Sequence, residues 1–150
     1  MHVCMVDKKH LMDINGIIKN KMEEKKARKN EHNRLQCACF QEIWNNHPEL
    51  RYLCFTTTNN LTSQLPPAQA RIRMAQMKGM GMVKGTTDLV FYYAGRLWGF
   101  DMKVGNDRLS KEQKEFISAI TAQGGGGMEI RSLEQFKAEV EKIIHNGERK

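Results

Sequence analysis

The sequence predicts a single α/β domain, a small mixed β-sheet flanked by helices in the order α-β-α-β-β-α-β-α. Three observations predict it. Two apolar, β-branched and aromatic runs, LVFYY and RLWGF, flank Ala94-Gly95 and read as a β-hairpin. Stretches with helical apolar spacing lie on both sides of that hairpin. Shorter apolar runs, RYLCFTT before it and MEI after it, each supply one more strand.

Residues 14–46 are helix-rich, with Gly16 as an early interruption. Residues 1–12 carry little pattern and are expected to be mobile, as are residues 146–150. The run KNKMEEKKARKNEHNR, residues 19–34, is strongly basic; it forms either a solvated helical face or an arm that meets phosphates. After Asn30 the helix turns amphipathic, with Leu35, Ala38, Cys39 and Trp44 among its apolar positions. Pro48 ends the helical region, and residues 51–57 form the first strand.

Asn59-Asn60 open a turn and residues 62–67 a loop. Pro67 suits the first position of a helix over residues 68–78, with Gly79 as its stop. Met74, Met77, Met80 and Met82 fill core gaps or meet a partner subunit. Beyond the hairpin, Gly105-Asn106-Asp107 is a polar turn. Ser110 with Gln113 three residues on is a capping-box pattern, opening a helix to Gln123. Gln113, Phe116, Ile117 and Ile120 share one of its faces. Residues 124–127, four glycines, read as a flexible link, and residues 128–130 as a strand. Ser132 caps a last helix with Leu133, Phe136, Val140, Ile143 and Ile144 turned inward.

A length of 150 residues suits one domain, residues 1–150, with its own core. No apolar run approaches the ~18 residues that span a bilayer, and residues 1–13 lack the pattern of a signal peptide. The expectation is a cytoplasmic protein without a membrane partner. A net charge of +7 and a pI near 9.3 suit a polyanionic partner. Cys4, Cys37, Cys39 and Cys54 lack the paired C-x-x-C of zinc sites. On a helix Cys37 and Cys39 point about 200° apart, so the thiols are expected to be reduced and structural.

The chemistry gathers at the hairpin. With Ala94-Gly95 as the turn, Tyr93 faces Arg96 and Asp88 faces Asp101. Alternation puts Lys103 on the same face as Asp101, and Asp88 projects there too. Two like charges at facing positions destabilise a sheet by up to about 1 kcal/mol. A divalent cation between them turns that cost into a binding site, since hard cations take carboxylate oxygens. Asp88 and Asp101 are therefore candidate ligands for Mg2+ or Mn2+, with the Met102 backbone carbonyl as a third. Lys103 is the candidate to stabilise developing negative charge, or to place the attacking water, in phosphodiester hydrolysis. The plain alternative is a structural ion pair on a sheet face.

Asp88 followed by Asp101-Met102-Lys103 resembles the D…(D/E)xK core of the PD-(D/E)xK nucleases. Three further segments are similar to the virus-type replication-repair nuclease (VRR-NUC) branch of that superfamily. They are Lys84-Gly85 ahead of Thr87-Asp88, Arg108-Leu109-Ser110-Lys111-Glu112-Gln113, and the closing Gly-strand-Ser-Leu-Glu-Gln-Phe segment. The similarity covers residues 28–137. It implies a restriction-endonuclease-like core and a magnesium-dependent endonuclease acting on DNA, a freestanding replication or repair enzyme of viral or mobile-element type. It also implies branched substrates such as Holliday junctions, and a homodimer.

The resemblance further implies a first-helix glutamate beside the metal, a position matched by Glu31, directly or through a water. It implies a glutamine under the site, matched by Gln113, whose spacing equally serves helix capping. The DNA phosphates would be met by Lys25, Lys26, Arg28 and Arg34 of the basic run, by Arg71 and Arg73, and by Lys84 and Arg108. Two residues depart from the commonest pattern: Thr87 stands where a proline is usual, and Asp101 where a glutamate is usual. Two rivals remain, a non-catalytic nucleic-acid-binding module on the same fold, and a restriction-type or exonucleolytic relative.

Overall fold

The structure, a computed structural model, describes residues 8–57 and 65–148. Helix α1 (Lys8–Asn46) leads through a 3-10 turn (Pro48–Leu50) to strand β1 (Cys54–Thr56), followed by α2 (Pro67–Gly79). The hairpin β2 (Leu89–Tyr93) and β3 (Arg96–Met102) comes next, then α3 (Lys111–Ala122), β4 (Gly126–Ile130) and α4 (Leu133–Glu148). The sheet order is β1-β2-β3-β4. The first three strands are antiparallel, and β4 lies parallel to β3 after the α3 crossover. A small mixed sheet flanked by helices, in the expected order, is what forms.

The hairpin is set by its turn. Ala94 and Gly95 have φ of 50° and 77°, the pair of positive values a two-residue I′ turn needs. Tyr93 consequently pairs with Arg96 and Leu89 with Phe100. From this register, Leu89, Phe91, Phe100, Met102 and Ile130 turn to one side and meet Cys39 and Ile43 of α1 and Phe136, Val140 and Ile143 of α4. The Phe100 and Phe136 rings pack edge to face with centroids 5.0 Å apart. That is the core.

The opposite face carries α3, and glycine lets it come close. A Cβ on Gly127 would lie 2.6 Å from Ile117 Cγ1, and one on Gly99 2.7 Å from Thr87 Oγ1. A Cβ on Gly125 would lie 1.9 Å from the Leu97 carbonyl oxygen. The glycine run is therefore no flexible link: Gly126 and Gly127 belong to β4, and the run exists for backbone proximity.

Three other expectations are corrected. Gly16 does not interrupt α1, because a mid-helix glycine costs only about 1 kcal/mol, little against a 39-residue helix. The first strand is shorter than residues 51–57, since Leu50 O captures the Leu53 N–H in a turn and pairing with β2 begins at Cys54. Gly79 is still helical, and α2 closes at Met80, whose N–H bonds the Gln76 and Met77 carbonyls. The expectations placed on residues 1–7, Asn59-Asn60, residues 62–64 and residues 149–150 lie outside the described residues.

Cys39 and Cys54 are buried free thiols, pushed up to about 12 by burial and therefore unreactive, while Cys37 is exposed. Cys4 lies outside the described residues. Among those described, no helix is long and apolar enough to cross a membrane.

Candidate active site

The site lies where β2 begins and β3 ends. One step beyond the Leu89–Phe100 pair brings Asp88 level with Asp101. Asp101 is fully buried on the α3 side. Its Oδ1 accepts a 2.5 Å hydrogen bond from Gln113 Nε2. Its Oδ2 meets the Lys103 ammonium as an ion pair. Lys103 Nζ also donates to Gln113 Oε1 at 3.1 Å.

The same glutamine caps its helix. Gln113 Oε1 accepts from the Ser110 N–H at 2.9 Å, and Ser110 Oγ accepts from the Gln113 N–H at 3.2 Å. Capping fixes the start of α3, and the fixed amide then spans the acid and the amine. Thr87, at the position where a proline is usual, is buried and donates its Oγ1 to the Leu89 carbonyl at 3.0 Å.

Asp88 is clamped from α1. Its Oδ2 accepts from the Met102 N–H at 2.8 Å and from His32 Nε2 at 3.0 Å. A carboxylate only accepts, so Nε2 is the protonated ring nitrogen. Thr56 Oγ1 and Gln36 Nε2 donate to the Asp88 main-chain carbonyl at 3.0 and 3.3 Å. The hydrogen bond to Asp88 raises the His32 pKa against the opposing effect of burial. Burial pushes the Asp101 carboxyl up to about 6; Lys103 pulls it down, and the Asp88 charge adds to the rise.

The donor set fits a hard divalent cation. Asp101 offers a buried carboxylate oxygen, Oδ2, whose one described contact is the Lys103 ammonium. The described hydrogen bonds of the Asp88 carboxylate all fall on Oδ2. Among the described residues no three His, Cys, Asp or Glu side chains form a metal-holding group. Magnesium keeps several waters and needs few protein ligands.

The structure brings together Asp88, Asp101, Met102, Lys103 and Gln113. Glu31 is exposed and, with Arg34, Arg131 and Lys103, lines a cavity of about 420 Å3. A second cavity of similar size joins Lys84 and Gln113. Lys84 is ion-paired with Glu112, and that contact lowers the glutamate to about 2. Arg108 is exposed on the loop before α3. Lys25, Lys26 and Arg28 are exposed farther up α1, and Arg71 and Arg73 on α2; none of the five lines either cavity.

Two residues escaped the sequence reading, His32 and Arg131. His32 had a signal. It stands seven residues before Cys39 and eleven before Ile43, within about 20° of both on a helical wheel, whereas Glu31 is about 80° from Cys39. Arg131 had none, because its place depends on the loop it ties, through Gly105 O at 2.7 Å, Asp107 O at 2.5 Å and Glu129 Oε2 at 2.8 Å.

No family model matches the chain, and no curated protein matches it. A solved structure described as a VRR_NUC domain protein superposes with a TM-score of 0.57, covering 76% of this chain and 88% of that one at 18% identity. Likeness at that identity speaks for the fold. The chain has a VRR-NUC-like, nuclease-type α/β fold.

Proposed function

We propose that the protein is a metal-dependent endonuclease of the VRR-NUC type that hydrolyses DNA phosphodiester bonds, acting as a homodimer on branched DNA such as four-way junctions. The observation that carries this reading is the cluster of Asp88, Asp101 and Lys103 spanned by the Gln113 amide. Its position on a nuclease-type fold supports the reading. Asp88 and Asp101 would hold the ion, with the Met102 carbonyl as a further ligand and Glu31 acting through a water. A magnesium or manganese ion held by these residues would supply an acidified water and a charge to polarise the phosphoryl oxygen.

The chain's own groups do the rest. His32 and the Met102 N–H fix the Asp88 carboxylate before substrate arrives. Gln113 orients Lys103, whose ammonium stabilises the charge that grows on the phosphate during attack. Arg34, lining the cavity at Lys103, receives a flanking phosphate.

End-labelled four-way junctions with magnesium are expected to give paired nicks near the crossover, and none with EDTA. Ladders shrinking from the ends would point to an exonuclease instead. Lys103→Ala is expected to slow cutting roughly 10²- to 10³-fold. Its junction binding in EDTA should stay within about threefold and weaken steeply with salt. Undiminished cutting by Lys103→Ala overturns the assignment.

A further inference from the structure

On the outer edge of the sheet, α1 and β1 enclose a concavity of about 660 Å3, within the roughly 300–1,000 Å3 of small-ligand sites. Its walls are aromatic. Phe40 and Trp44 stack with centroids 5.8 Å apart, and Tyr52 meets Trp44 edge-on at 6.1 Å. Phe55 closes it from β1. The Arg51 guanidinium lies 5.6 Å over the Trp44 ring and is anchored by a 2.6 Å bond from Nε to the Trp44 carbonyl. Trp44, Phe55 and Tyr52 are 40%, 49% and 89% exposed. Folding leaves these rings partly exposed to solvent.

The inner wall is formed by Gln36 and Thr56, the two side chains that bond the Asp88 carbonyl. Gln36 and Thr56 thus touch both the aromatic pocket and the main chain of Asp88.

We propose that this pocket receives an unpaired nucleobase of the DNA strand, next to the phosphate held at Asp88 and Asp101. The inference rests on the nuclease reading and sharpens it, naming DNA with unpaired nucleotides at the cleavage point as the preferred substrate. Every base has two π faces that stack on aromatic rings, and Arg adds a cation–π contribution. The Asn33 amide on the lining can bond a base edge. A base inside a duplex has both faces covered and cannot enter. Charge favours this occupant: the Arg51 guanidinium on the pocket lining complements a phosphate backbone.

The test uses the full chain in EDTA, so that nothing is cut, and DNA duplexes that are blunt or carry a short single-stranded extension containing 2-aminopurine. The extended duplex is expected to bind roughly tenfold more tightly. Its 2-aminopurine fluorescence should be quenched on binding, whereas the same base placed inside a paired stretch should not respond. Trp44→Ala and Tyr52→Ala should each erase most of the preference and the quench while blunt-duplex affinity stays within about twofold. Trp44→Phe should restore them. Tyr52 is so exposed that its loss leaves the fold intact.

Equal binding of blunt and extended duplexes by the native protein overturns the pocket and leaves the nuclease reading standing. No binding to any DNA overturns both. A native dimer in sedimentation that Trp44→Ala dissociates also overturns the pocket, because the face would then be a contact between protomers.

Discussion

Along β3 the residues of one parity, Phe100 and Met102, turn to α1 and α4. Those of the other parity, Gly99, Asp101 and the following Lys103, turn to α3. The first set joins an apolar core. The second set is a backbone gap, a buried acid and an amine, held by one glutamine. A single hairpin register therefore produces a stabilising face and a chemical face. Burying Asp101 opposes folding, and the other side of the same strand must offset that cost.

The largest effect that could break this contrast is on the core side. Phe136→Ala should cost about 3–5 kcal/mol in urea unfolding, because it removes the ring packed on Phe100. A loss below about 1 kcal/mol would mean that the α4 side is not the main source of stability.

On the chemical side the sign should reverse. Asp101 has its carboxyl raised from the ordinary 3.8 to about 6, so its favourable contribution is complete below about pH 4 and is lost as the pH climbs through 6. That interval corresponds to on the order of 3 kcal/mol. Replacing the pair together, Asp101→Asn with Lys103→Met, should flatten the metal-free stability profile between pH 4 and pH 7. At pH 7 the double variant should be as stable as the parent, or more so by about 1–4 kcal/mol. Parallel pH profiles for the two proteins would show that Asp101 is not strained by burial.

The gap between β4 and α3 gives a smaller effect. Gly127→Ala should cost about 1–3 kcal/mol, as Ile117 must shift to admit the new methyl group. Gly125→Ala should be worse, because the obstacle there is the Leu97 carbonyl and not a side chain that can rotate. The smallest effect belongs to neither face. Gly16→Ala should add about 0.5–1 kcal/mol, since the helix continues through an open position with nothing near the added carbon. A loss of stability there would show that α1 is not uniformly helical.

Much of the fold was legible because its signals are local. Ala94-Gly95 dictates the turn, the turn dictates the register, and Ser110 with Gln113 dictates where α3 begins. The inward stripe of α4 follows from spacing alone. Less legible features depended on distant partners. The glycines of residues 124–127 resembled a linker until Leu97, Trp98 and Ile117 stood against them. Residues 51–53 resembled strand, yet a turn takes the Leu53 N–H and only the Leu53 carbonyl reaches β2, through the Tyr92 N–H. The wheel position of His32 was readable from its spacing to Cys39 and Ile43, but its partner, Asp88, lies 56 residues away.

By itself the sequence determined the element order, the hairpin register, and the level pairing of Asp88 with Asp101, because backbone geometry of period two and period 3.6 is local. Only the tertiary structure decided that α1 clamps Asp88 through His32, that Arg131 joins Arg34 beside Lys103, and that α1 and β1 leave an aromatic pocket behind the site. Those arrangements join residues far apart in the chain, and their separation is set by how helices pack on the sheet, which no local pattern encodes.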